Sequence, residues 1–519
     1  MTALFSFAPH RVVARGMFCR YGSLMPPNTS ADRATMLACK PIAPLLATMA
    51  LPATVAMAVN ALYNLVDTIF IGQGVGALAI AGLGIAFPVQ IIVLSIALMM
   101  GIGTASVVSR SLGAGRPDRA AQAVGGSFTV LLFLALVLTG LGLLFLDEVL
   151  VLFGATPDIL PYAREYLGTV LPGAAFIGTG IAANHSVRSE GRAAMSMAIV
   201  VTGALANIGL DALFIFVLDM GIRGAALATV AAQFISFSLA IFFYASGRSS
   251  LPVKLRHLIP NPVIVREVLT VGLAAFVRQF GQSLFVIITN NALRTYGQDL
   301  HIAAFGVINR VLIFTLMPLI GIAHGLQPIV GFNYGAKNYR RVRKAVFVAF
   351  GVSMVVALTF FAVIMLAPAA VFGIFTDSGD LVDIGRGALR IVMLVLPAIG
   401  LQLAGVVFFQ AVGKAIPALF LSMSRQIIFL IPLVILLPRV FGLVGIWAAF
   451  PIADGAAAAL TLGLLAREMR RLVVAADGAR AAGSAPHGAP AAAAAPDGPA
   501  AQAIDADKKN TSLEGCPDV

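Results

Sequence analysis

The sequence predicts an all-α integral membrane protein of twelve transmembrane helices, arranged as two parallel six-helix repeats. Three observations carry this. The 519-residue chain is 59% hydrophobic and 11% charged, with mean hydropathy +0.95, whereas a soluble domain is about 25% charged. So much apolar surface needs lipid as its solvent. The apolar runs are also long and continuous, without period-two alternation. In lipid every backbone polar group must be paired internally, so only helices and closed barrels span it, and continuous runs select helices. The third observation is a repeat of the chain at an interval of about 222 residues.

Taken in order, the spans are read at about 43–71, 77–108, 121–146, 159–186, 193–217, 223–246, 267–292, 302–331, 343–367, 383–411, 416–436 and 442–466. Gly and Pro clusters such as Gly72–Gly76 and Gly113–Pro117 mark breaks between them. The even-numbered loops are basic. They carry Arg110, Arg116 and Arg119, then Arg188 and Arg192, then Arg248, Lys254 and Arg256, then Lys337, Arg340, Arg341, Arg343 and Lys344, and finally Lys414. Arg467, Arg470 and Arg471 follow the last span. The odd loops hold Asp147, Glu148, Asp158, Asp219, Asp299, Asp377 and Asp380. The positive-inside rule then places the even loops and both termini in the cytoplasm.

The repeat is visible in three places. GTASVVSRSLGA at 103–114 aligns with GLQPIVGFNYGA at 325–336, and Arg119 with Arg341. Gly191 aligns with Gly413, and Gly221–Gly224 with Gly442–Gly445. Six spans per repeat is an even number, so both repeats enter from the same side and are related by an axis along the membrane normal. The expected domains are an irregular N-terminal segment (1–40), an N-lobe of helices 1–6 (41–246) and a cytoplasmic linker (247–266) with Pro252, Pro260 and Pro262. A C-lobe of helices 7–12 (267–472) and a disordered tail (473–519) follow. Two such lobes leave a cleft near the midplane.

Several classes are excluded. The net charge of +12 resides in loops between spans, which reads as a topology signal and not as a nucleic-acid surface. Cys19, Cys39 and Cys516 lack ligand spacing, so neither a disulfide framework nor a metal cluster is expected. Residues 1–35 lack the apolar core of a signal peptide. No P-loop, G-x-S-x-G or H-E-x-x-H stretch is present, so neither ATP hydrolysis nor enzyme catalysis is expected.

The polar residues inside the spans are the functional candidates. A carboxylate costs roughly 2.5–3.5 kcal/mol at the centre of an inserted helix, so one retained there marks an ion or proton site. Asp67, Asp211 and Thr229 each fall about 7–12 Å below the outer ends of their spans at ~1.5 Å rise per residue. Asn207 stands one turn from Asp211 on the same face. Two carboxylates, an amide and a hydroxyl suit a hard cation such as Na⁺; two close carboxylates are equally suited to share a proton. Asn60 and Asn64 lie on Asp67's side of the first helix and extend a polar stripe toward the cleft. In the second half, Arg278, Gln279 and Gln282 of the seventh span and Arg310 of the eighth are further cleft candidates, alongside Asn309, His324, Gln327, Arg425, Gln426 and Asp454. Asp454 needs a cationic partner, for which Arg278 or Arg310 is expected. His324 reads as a helix-packing histidine.

The segment LVDTIFIG at 65–72, the paired Gly113-Ala114-Gly115 and Gly335-Ala336 loops and the Gly221–Thr229 stretch together resemble the multidrug and toxic compound extrusion (MATE) family over about residues 40–470. The pattern is similar to the bacterial branch of DinF-like and MepA-like exporters. The resemblance implies a secondary antiporter exporting organic, often cationic, drugs in exchange for H⁺ or Na⁺. It implies that Asp67, Asn207, Asp211 and Thr229 match the N-lobe cation site of prokaryotic members. Some members carry acidic coupling residues in the seventh and tenth helices, whereas the spans read here have acids only at their first residues, Glu267 and Asp383, and none further in. Rival readings are a lipid-linked precursor flippase of the same superfamily, which would line its cavity with Arg278 and Arg310, and a passive channel. The expected partners are a small organic substrate and the bilayer, without nucleic acid or any cofactor beyond the coupling ion. The expected form is a monomer in the bacterial inner membrane.

Overall fold

The structure is a computed structural model that describes residues 30–376 and 378–483. The Arg-rich start with Cys19, the loop residue Asp377, and 484–519 with Cys516 lie outside the described residues. Among the described residues, eleven helices are long and apolar enough to cross a membrane: Ile42–Gly74, Leu78–Gly113, Pro117–Leu144, Leu160–Ser189, Ala193–Val217, Gly221–Ala245, Pro262–Tyr296, Asp299–Gly335, Tyr339–Leu366, Ala415–Leu436 and Pro438–Asp477. A twelfth span is the pair Gly379–Val392 and Leu396–Ala411, bent by 50°. That bend breaks the expected straight span at 383–411. Pro397, at the start of the second piece, supplies no N–H and its ring crowds the carbonyl one turn earlier.

Most helices outrun the hydropathy reading. The eighth continues to Gly335, where polar residues hide a helical backbone from an apolar count. Two terminal expectations need correction. Ser30–Cys39, inside the segment read as irregular, is a helix that buries Leu37 against the basic-loop ends of the spans. The last helix runs to Gly483, into the stretch read as disordered, because its Ala-rich composition is strongly helix-forming. Cys39 is disulfide-bonded, contrary to expectation.

The duplication is written in the backbone. Gly115 and Lys337 have φ of 68° and 58°, Gly191 and Gly413 have 82° and 79°, and Gly221 and Gly442 have 55° and 56°. Left-handed turns therefore recur at the repeat interval. Lys337 adopts the strained conformation where the first repeat uses glycine.

The lobes meet through matching contacts. A Cβ on Gly113 would strike the Phe332 carbonyl, and one on Gly335 would strike the Arg110 carbonyl. Residues 110 and 332, like 113 and 335, are repeat equivalents, so this contact is self-complementary about the pseudo-two-fold axis. Gly272 against Met99 and Gly325 against Ala50 extend the seam.

The cores divide by depth. Toward the acidic-loop side each lobe has its own. Ile71, Leu150, Leu167, Ile215 and Ile222 pack in the first. Phe285, Phe305, Phe372 and Phe450 pack in the second. Toward the basic-loop side the cores are shared: Leu45, Met49 and Ala193 join Ile329, Phe332, Phe408 and Leu472, while Val107 and Val124 join Ile264 and Val268. Among the described residues, the inter-lobe hydrogen bonds follow the same rule, as in Ser106 to the Gln410 carbonyl and Gln327 to the Ile102 carbonyl. The molecule is a V, joined at the basic-loop side and parted at the acidic-loop side.

Candidate functional site

Asp67 and Asp211 face one another across the first and fifth spans, close enough for their carboxyl groups to interact directly. Asp67 lies seven residues before the first helix ends at Gly74. Asp211 is the last α-helical residue before a π-helical turn, Ala212–Val217. Such turns re-aim side chains and recur at functional positions. Asp211 and Asn207 are 0% and 2% exposed, and Asp67 is half-buried.

The polar balance of this cluster is unusual. Both Asp211 oxygens, one Asp67 oxygen and both amide atoms of Asn207 are buried without a hydrogen-bond partner. A buried acceptor left unpaired costs about 1–3 kcal/mol, more when charged. Four acceptor oxygens gathered in this way fit a proton shared between carboxyls or a hard cation such as Na⁺. Among the described residues no three His, Cys, Asp or Glu cluster as a metal site.

Three residues that sequence reading passed over complete the setting. Tyr166 of the fourth span lies within polar reach of Thr229 and Gln90, and within electrostatic range of Asp67. Thr229 therefore pairs with Tyr166, and no direct contact joins it to either carboxyl group among the described residues. Tyr63 stands one turn before Asp67, in the field of both carboxylates. Gln90 alone carried a signal, as a lone amide in a long apolar run.

The remaining candidates fall elsewhere. Asn64 donates to the Asn60 carbonyl at 2.7 Å, and both residues are exposed on Asp67's side of the helix. In the second lobe Gln282 accepts from Gln426 at 2.9 Å, and Gln279 is half-buried. Arg310 is exposed and makes no ion pair among the described residues. The expected Arg278 or Arg310 partnership with Asp454 is wrong. Arg425 Nε donates to Asp454 Oδ1 at 2.6 Å, because a π-helical turn at Ser424–Leu430 swings Arg425 toward the last span. Arg278 instead belongs to a cluster between the lobes with His324. Arg188, read as a loop charge, is 3% exposed in the final turn of the fourth span.

With this geometry in view, the MatE family model matches the chain twice, over residues 52–213 and 274–436. The chain belongs to the MatE family. It is 25% identical over 431 residues to the multidrug export protein MepA of Staphylococcus haemolyticus, covering 82% of this chain and 93% of that one. A solved MATE multidrug transporter, DinF-BH, is 43% identical, with TM-score 0.77 over 82% of this chain and 96% of its own. A MATE family transporter in an outward-facing conformation superposes with TM-score 0.80 at 26% identity, covering 85% and 98%. The protein is thus a multi-pass membrane transporter of the multidrug-efflux type.

Proposed function

We propose that the protein is a secondary antiporter in a bacterial inner membrane, exporting organic cations in exchange for inward H⁺ or Na⁺, and that it catalyses no covalent chemistry. The observation that carries this is the set of orphaned acceptors on Asp67, Asn207 and Asp211. Such a set favours the state in which a cation or proton is held. The positive-inside rule makes the basic-loop side cytoplasmic, with both termini there, so the V opens outward. Asp67, Asn207, Asp211 and Thr229 take the coupling ion from outside. Neutralising the pair changes how the first helix packs on the fifth. An ion bound more tightly in one state than the other is what couples its gradient to substrate movement.

The flippase reading draws on Arg188 and Arg278 between the lobes, but it leaves the orphaned acceptors of Asp67, Asn207 and Asp211 without a role. Vesicles loaded with ethidium, with Na⁺ and pH gradients imposed separately, test the proposal. Efflux should follow one gradient and vanish in Asp67→Asn and Asp211→Asn. Gradient-independent efflux, or normal efflux in both variants, would overturn it.

A further inference from the structure

At the apex of the V, where the lobes close, four basic side chains meet. His185 and Arg188 come from the fourth span, Arg278 from the seventh and His324 from the eighth. The His185 and His324 rings meet edge-on across the lobes, with centroids 5.5 Å apart. Arg188 Nη2 lies 2.6 Å from His185 Nδ1. A guanidinium only donates, so His185 Nδ1 accepts, and its remaining N–H is on Nε2. Arg188 and Arg278 both act electrostatically on the two imidazoles. His185 and Arg188 are 6% and 3% exposed, while His324 and Arg278 are half-buried.

No acid answers this charge. Among the described residues, no carboxylate forms an ion pair with Arg188 or Arg278, and neither donates to any oxygen. The acids that flank them in sequence are engaged elsewhere. Glu190 accepts from Ser249 and from the Ser250 N–H, and Glu267 pairs with Arg110 and Arg119. A guanidinium offers five donors, is never deprotonated in proteins, and within a membrane protein is almost always paired. Two of them sharing one junction, with unused donors and a neighbouring imidazole N–H, make a cradle of one sign. Its ligand must carry the other sign.

We infer that this junction binds a monovalent anion, either a free halide or the carboxylate of an organic ligand, bridging the two lobes. An anion held by His185 and Arg188 from one lobe and by Arg278 and His324 from the other ties the lobes together and holds the basic-loop side shut. Separation of the lobes on that side pulls Arg188 away from Arg278 and releases the anion. The cleft is then bipolar, with carboxylates near its open end and guanidiniums at its floor.

The test uses the purified full-length chain in detergent, in a bulky sulfonate buffer. Chloride and acetate are titrated separately at constant ionic strength, and the thermal unfolding midpoint is read. At least one anion should raise the midpoint saturably. Arg278→Gln should weaken that apparent affinity by about tenfold or more, the value of one charge-assisted hydrogen bond. Arg310→Gln, an exposed arginine, should leave it unchanged. A response to chloride alone identifies a halide site, and one to acetate alone a carboxylate site. If Arg278→Gln does not fold, Arg278→Lys keeps the charge, loses the fork, and should weaken acetate more than chloride. No saturable response to either anion, or a response that both Arg278 variants leave intact, overturns the proposal. The measurement needs no gradient and no transport, so failure of the coupling mechanism at Asp67 and Asp211 would not affect it.

Discussion

The two lobes share one backbone plan and treat their buried acids in opposite ways. In the first, Asp67 and Asp211 face each other with acceptors unanswered. In the second, Asp454, 3% exposed, is answered by Arg425 through bonds of 2.6 and 3.5 Å, and the neighbouring Gln426 is answered by Gln282. Duplication thus supplied two scaffolds, of which one leaves its carboxylates without partners and the other pairs its acid with an arginine. A satisfied pair rigidifies; under the proposed coupling, the unsatisfied one responds to an ion.

The sharpest way to break this contrast is to neutralise each acid in turn. Asp67→Asn or Asp211→Asn is expected to reduce gradient-driven ethidium efflux to background, with normal membrane insertion and little loss of stability, since each removes a charge that lacks a partner. Asp454→Asn should do the reverse. It strands Arg425 and should cost about 3–5 kcal/mol of stability, read as a lower unfolding midpoint and lower yield. The double change Arg425→Met with Asp454→Leu should recover most of that loss. Efflux lost in Asp454→Asn while its unfolding midpoint stays at the wild-type value would show that the second lobe also couples.

The lobe seam gives a smaller effect. A methyl group on Gly272 would collide with the Met99 carbonyl oxygen, which is backbone and cannot swing away. Gly272→Ala should cost about 1–3 kcal/mol, the usual range for overpacking, and wedge the lobes apart on the basic-loop side. Labelling of a cysteine introduced beside the seam should then speed up. Gly84→Ala, with nothing within 4 Å of the added carbon, should leave both readouts unchanged or slightly improved.

How far the sequence discloses this arrangement depends on how rare each signal is. The spans and their duplication are legible because twenty-residue apolar runs and glycines at one interval seldom arise otherwise. Asp67 and Asp211 are legible because acids in apolar helices are few. Tyr63 and Tyr166 are not, since aromatics at helical spacing ordinarily fill space. The Arg425–Asp454 pairing is hidden because partner choice follows from a π-helical turn that no local pattern announces. Arg188 misleads in another way. Counted as a topology charge, it proves to be the last buried turn of a helix, and only the approach of the second lobe reveals its neighbours.

The smallest expected effect lies at Glu190, between the fourth and fifth spans. Its carboxyl, 2% exposed, ties the inter-repeat linker down through the Ser249 hydroxyl at 2.9 Å and the Ser250 N–H at 2.7 Å. Arg33 from the N-terminal helix and Tyr244 from the sixth span also face it. Burial pushes its pKa up to about 7, against the opposing pull of these hydrogen bonds and of Arg33. The native state therefore holds a proton that the unfolded chain has already released above about pH 4.5, so stability falls as pH rises through that interval. Between pH 5.5 and 7.5 the loss should be about 1–2 kcal/mol. Glu190→Gln, a neutral mimic of the protonated form, should flatten this part of the stability–pH curve without moving any pH dependence of efflux, which the proposed coupling assigns to the first-lobe carboxylates. A slope that persists in the variant would place the titrating group elsewhere and leave Glu190 as a plain hydrogen-bond anchor for the linker.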